Sequence, residues 1–199
     1  MTEGCDAIPT PTKDETAMTA QWRPARADDA PSIAALARAE LGEYGEAADL
    51  YAERIALSAE GCWVLADDGT VVGHCISHPW HRLAPPAMHT LLGDLPPSAD
   101  CWYLHDVVVA PVARGTRAVE RLLPILDDIA TRRAIPVLAL IAVGGADAYW
   151  ARQGFIAAPG GAAGFGADAV YMERPVACPV DGTRTSGGIA TAHPNPTTR

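Results

Sequence analysis

The stretch YLHDVVVAPVARGTRAVERLL, residues 103–123, decides how this chain folds. Val107, Val108 and Val109 follow an aromatic start, the composition of a buried strand, and a strand is expected over 102–109. Pro111 and the Arg114-Gly115-Thr116 run then mark a tight turn, and a helix is expected over 114–133. Backbone N–H groups at such a turn lack partners and converge, and the helix dipole adds partial positive charge, so the unit suits a phosphate group. Arg114, Arg117 and Arg121 place cations there. An ordinary strand-to-helix connection has the same outline.

Working outward, 22–25 reads as a short strand. It is followed by capping Asp28-Asp29, Pro31 in a first turn, and Ile33, Leu36 and Ala37 on one helical face. A second helix is expected over 46–59, and then a hairpin of 62–66 with 71–77 around Asp67-Asp68-Gly69-Thr70. If Asp68-Gly69 is a two-residue turn, Cys62 faces Cys75 across the hairpin. Residues 78–100 hold five prolines and read as an irregular segment with a helical turn near 88–92, lying over a binding face. Beyond 133 come a strand over 137–143, a short helix over 146–153, and two closing strands at Phe155 and at 171–173. The fold class is therefore mixed α/β, with a central parallel pair of strands. Residues 1–20 and 177–199 read as polar, low-complexity tails around one domain at 21–176.

The bulk properties exclude several classes. A formal charge of −9 disfavours a nucleic-acid or anionic-membrane surface. No apolar run reaches the length of a membrane helix, and residues 1–20 lack the basic-then-apolar order of a secretion signal, so a cytoplasmic location is expected. The five cysteines show no C-x-x-C and no regular spacing. His74, His78 and His81 lie close together, but no carboxylate or cysteine is spaced to complete a shell, and no metal is expected.

The runs YLHDVVVAPVARG (103–115), AVGGADAYWARQGF (142–155) and AVYMERPV (169–176), in that order, resemble the GNAT acetyltransferases, whose members commonly read YxHDLAVxPxxRGxG, then FWxxxGF or FYxxxGF, then a Met-Glu-Arg-like strand. The hairpin run VVGHCISHPW (71–80) is similar to a VVGYxxxHPW run in one bacterial subgroup. The resemblance spans about 23–176 and implies a twisted mixed sheet of about six or seven strands flanked by about four helices. It further implies transfer of an acetyl group from acetyl-CoA to a small-molecule or amino-acid-like amine, and it admits a homodimer. Val107, Val108, Val109, Arg114, Gly115, Thr116, Arg117, Ala118, Val119 and Trp150 would line the cofactor. A backbone N–H of Val108 or Val109 would polarise the thioester carbonyl.

The chain departs from the family pattern at three places. Arg117 and Val119 stand where the family loop has small residues, so their Cβ atoms are expected to push the phosphates outward unless the Arg117 charge compensates. Pro124 is expected to kink the following helix. Trp150 occupies the position of the family's general acid, leaving Tyr149, water or a different reaction to supply that proton. His105 and Asp106 are the candidate bases, with Tyr103 and His105 on one strand face and Asp106 on the other. His78, Trp80 and Tyr103 are candidates for the acceptor pocket wall. The non-Gly loop also leaves open a relative that does not use acetyl-CoA, acting as a lyase, a decarboxylase or a binding module.

Overall fold

The hairpin turn shows how closely local chemistry sets the architecture. Asp68 and Gly69 both take positive φ, 44° and 80°, as the two central residues of a mirror-image turn must, and they join β2 (Trp63–Asp67) to β3 (Thr70–Trp80). These assignments come from a computed structural model that describes residues 19–176. The two tails expected from the sequence lie outside the described residues, apart from Thr19 and Ala20, and Ala20 is buried in the core.

The register next to the turn follows the two-residue loop, with Asp67 opposite Thr70 and Ala66 opposite Val71, but a bulge then shifts Leu65 onto Gly73. Trp63, not Cys62, therefore faces Cys75, and the expected cysteine pair does not form. The spare residue in β3 shifts every later pairing by one position. Cys62, Cys75 and Cys101 are free and buried.

Seven strands run in the order β1-β2-β3-β4-β5-β7-β6. Besides β2 and β3 they are β1 (Gln21–Pro24), β4 (Cys101–Val109), β5 (Val137–Ala142), β6 (Ile156–Ala157) and β7 (Val170–Pro175). Only β4 and β5 pair in parallel. Helices α1 (Ala30–Leu41) and α2 (Ala48–Leu57) cover one face, where Ile33, Tyr51 and Ile55 pack on Val64 and Ile76. Helices α3 (Ala118–Arg132) and α4 (Asp147–Arg152) cover the other. Leu122, Leu126 and Ile129 of α3 recur at helical spacing and pack on Leu104, Leu138 and Leu140. Truncating such a leucine to alanine costs about 2–5 kcal/mol.

Three local expectations are corrected. The helix after the turn begins at Ala118 rather than 114, because residues 114–117 are spent on the loop itself. Pro124 stands within that helix, on its exposed side. Residues 88–92 form no helical turn, and His78, Pro79 and Trp80 extend β3 instead of opening the irregular segment.

Candidate active site

The site is created by a parting of strands. β4 and β5 pair at Trp102/Leu138, Tyr103/Ala139 and Leu104/Leu140, and no further, although β4 continues to Val109. On its other edge β4 stays paired with β3 as far as Gly73. The Ala110 N–H donates to Val72 O, so by strand alternation Val108 turns its backbone groups to β3 while Val107 and Val109 turn theirs into the opening. Of the two N–H groups named from the sequence, that of Val109 faces the gap.

Two connected cavities occupy this opening. An outer groove of about 860 Å³ is lined by Val107, Val108, Val109, the loop from Arg114, α3 residues 118–120, Tyr149 and Trp150. An inner chamber of about 140 Å³ is lined by Tyr103, His105, Asp106, Glu46, Met88 and Phe165, among others. Leu41, Tyr44, Val107, Val143, Ala146 and Trp150 border both.

At the loop, Gly115 has φ 80° and Arg117 has φ 58°, ψ 36°, the left-handed conformation. Arg117 thus takes the shape that the small residue would have given, at the cost of backbone strain. The backbone N–H groups of residues 115–118 have no acceptor among the described residues. Val119 is buried in the main core and also borders the outer groove beside the loop. Arg114 is tied to Glu40 and to Val109 O, whereas Arg117 and Arg121 make no ion pair among the described residues. A negatively charged pyrophosphate fits this set of free donors and the Arg117 guanidinium, which lines the groove.

A second bulge, in β4, reshapes the chemical end of the site. Ile76 pairs with Asp106 and Ser77 with Leu104, leaving His105 unpaired between them. The extra residue brings His105 and Asp106 to the same face, that of α2, which corrects the expectation that they would point opposite ways. His105 Nε2 lies 3.0 Å from Glu46 Oε2. Asp106 Oδ2 accepts from the Tyr51 hydroxyl at 2.7 Å and lies 3.2 Å from His74 Nε2. The Glu46 N–H joins the two clusters by donating to the Tyr51 hydroxyl oxygen at 3.2 Å.

Burial pushes the Glu46 carboxyl up, but the His105 hydrogen bond and the charges of His105 and Arg54 outweigh it and hold the group below its ordinary value. Asp106 behaves the same way, burial being overcome by His74 and by the Tyr51 hydrogen bond. Both carboxylates are ionised and accept only, so His105 and His74 must carry their protons on Nε2. His105 Nδ1 is buried and has no hydrogen-bond partner. Arg54, fully buried, binds Glu46 at 3.0 Å and also donates to Leu50 O and Thr90 O.

The other sequence candidates are placed differently. Tyr103 lines the inner chamber, but His78 and Trp80 line neither cavity: His78 is fully buried with Nδ1 on Pro79 O, and the Trp80 indole donates to Ala84 O. Burial drives His78 down to about 3, so it stays neutral. Tyr149 lines the outer groove, half-buried, and burial raises its phenol above the ordinary value. Glu46, Tyr51 and Arg54 were not foreseen. The available signal was Arg54, a charged residue on the same stripe of α2 as Leu50, Tyr51 and Ile55. Among the described residues no group of three or more His, Cys, Asp or Glu is placed to hold a metal ion, and no helix is long and apolar enough to cross a membrane.

A model of the acetyltransferase (GNAT) family matches residues 26–155. The chain belongs to this family. Solved structures with the same GNAT fold include the GNAT-like decarboxylase GphF in complex with isobutyryl-CoA, at 20% identity and a TM-score of 0.64, covering 79% of this chain and 100% of that one. The GNAT N-acetyltransferase YhbS from Escherichia coli in complex with CoA is similar at 19% identity and a TM-score of 0.52, covering 83% and 86%. PaiA N-acetyltransferase from Thermoplasma acidophilum in complex with coenzyme A gives 13% identity and a TM-score of 0.56, covering 79% and 99%. No curated protein matches the sequence. As a GNAT protein the chain is an acyltransferase with acetyl-CoA as its co-substrate. The free loop donors and the parted strands fit such a co-substrate despite the side chains at positions 117 and 119.

Proposed function

We propose that this protein acetylates a primary amine of a small molecule, holding acetyl-CoA in the outer groove and the amine in the inner chamber. Acetyl-CoA supplies an activated thioester: the amine nitrogen bonds the carbonyl carbon, the carbon–sulfur bond breaks, and the thiolate leaves with a proton. The residues of the chain do the rest. The N–H groups of residues 115–118, with Arg117 and Arg121, hold phosphate at the mouth of the groove. The Val109 N–H, turned into the opening, is the donor for the thioester oxygen.

His105 is the base. Its ring lines the inner chamber with Nε2 on Glu46, and the Glu46 carboxylate stabilises the imidazolium that forms when the ring takes a proton from an ammonium group. Asp106, whose Oδ2 is held by Tyr51 and His74, forms part of the chamber wall and is a positioning residue. Tyr149 is the phenol on the groove side that can return a proton to the thiolate, the position next to it being Trp150.

The observation that carries this reading is the His105–Glu46 pair at the inner end of a gap whose outer end is a loop of unpaired N–H groups. Thermal unfolding with added acetyl-CoA tests the binding half, since a ligand at a hundred times its Kd stabilises by about 2.7 kcal/mol. Release of free thiol on adding amines tests the transfer half. Absence of both would remove the reading.

A further inference from the structure

The charge balance of the inner chamber selects among amines. Its polar wall consists of Glu46, His105, Asp106 and the phenols Tyr44 and Tyr103, and no Arg or Lys lines it among the described residues. The remaining wall is apolar, with Leu41, Met88, Leu140, Ile141 and Phe165 prominent. The nearby cation is Arg54, which is fully buried and engaged by Glu46, Leu50 O and Thr90 O, with its Nε sealed from solvent. It offers nothing to an acceptor.

Two carboxylates stand in this wall, Glu46 held by Arg54 and His105 and Asp106 by Tyr51 and His74, and no cationic side chain lining it among the described residues is left for an acceptor anion. An acceptor carboxylate or phosphate entering here would lose its hydration, meet no cation, and lie against Glu46 and Asp106. Such like-charge contact in a dry site costs several kcal/mol. An ammonium group meets the opposite field. The volume, about 140 Å³, is well below the roughly 300–1,000 Å³ of a pocket for a drug-sized ligand, so it takes the amine and a short apolar body.

Resting on the acetyltransfer reading above, we infer that the acceptor is an alkyl or aralkyl monoamine without a carboxylate or phosphate. It enters as the ammonium ion. One proton passes from nitrogen to the His105 ring, nitrogen bonds the acetyl carbon as the carbon–sulfur bond breaks, and the second proton goes from nitrogen to the thiolate. The products are the neutral amide, free CoA thiol and the proton that His105 later releases.

The test compares matched pairs differing by one carboxylate: butylamine with norvaline, and phenethylamine with phenylalanine. Thiol release is followed for the full chain saturated with acetyl-CoA, and thermal shift by acetyl-CoA is measured in parallel. Each monoamine is expected to exceed its amino acid in kcat/KM by roughly a hundredfold. The lower amine basicity of amino acids favours them in this assay, so the bias runs against the inference. Amino acids turned over as well as or better than their monoamines would overturn it and leave acetyltransfer intact. Turnover of no pair would also overturn it, and the parallel shift then decides the underlying reading: a shift keeps acetyl-CoA use, and no shift removes it too.

Discussion

His105 Nε2 stands 3.0 Å from Glu46 Oε2, across 59 residues of sequence, and this contact orients the imidazole at the chamber wall. Replacing the carboxylate by an amide keeps the shape but removes the charge and allows the other tautomer. Glu46→Gln is expected to lower kcat by about ten- to a hundredfold with acetyl-CoA affinity unchanged. Steady-state kinetics beside a titration with acetyl-CoA reads both quantities. An equal loss of affinity would assign Glu46 to cofactor binding instead.

Arg54 is the buried counter-charge of Glu46, so removing it leaves an uncompensated carboxylate in the core. Arg54→Met is expected to destabilise by about 3–5 kcal/mol, the usual cost of breaking a buried pair. Adding Glu46→Gln should recover part of that loss, because the stranded charge is then gone. Denaturant midpoints of the two single variants and the double variant measure the coupling. Strict additivity would mean that the two side chains do not share an interaction.

Arg117 sits in a left-handed conformation that glycine adopts freely. Arg117→Gly relieves about 1 kcal/mol of backbone strain but also frees the unfolded chain, so the apo protein should change by less than about 1 kcal/mol. Its affinity for CoA should fall several-fold, because the guanidinium has no partner among the described residues and is available to phosphate. Tighter binding by the variant would show that the side chain obstructs the loop.

His78 supplies a pH test of the core. Its folded value, about 3, lies below its ordinary 6.5 because burial penalises the charged ring. The unfolded chain therefore binds a proton that the folded chain refuses, and the stabilising effect present above pH 6.5 is lost as pH falls towards 3. The slope from this one group is at most about 1.4 kcal/mol per pH unit. Between pH 6.5 and the carboxylate range, the fall in Tm should flatten in His78→Phe. Glu46 and Asp106, both held low, add their own loss only at more acidic pH.

Much of the fold was legible because its signals are local. Asp68-Gly69 announces the hairpin, Pro31 and Asp29 the start of α1, and the order of strands and helices follows from such marks. The errors came from single-residue insertions in the ladder. The bulge beyond Ala66 moved Cys75 from Cys62 to Trp63, and the bulge at His105 turned Asp106 to the face of its neighbour. A period-two reading cannot see the bulge at His105, where no glycine or proline stands, whereas Gly73 in β3 was an available mark of the other. His105 and the loop at 115–119 were found because they lie in one continuous stretch. Glu46, Tyr51 and Arg54 were missed because only long-range strand and helix packing brings them to His105.

The most direct measurement is single-turnover transfer of labelled acetyl from acetyl-CoA to an amine by the wild type and by His105→Ala, with the Kd for acetyl-CoA determined for each. Unchanged affinity with a transfer rate lowered by about 10²–10⁴-fold is the expected result, the range typical of losing a positioned base. A transfer rate that survives the substitution at neutral pH would contradict the role given to His105 and, with it, the reading of the inner chamber.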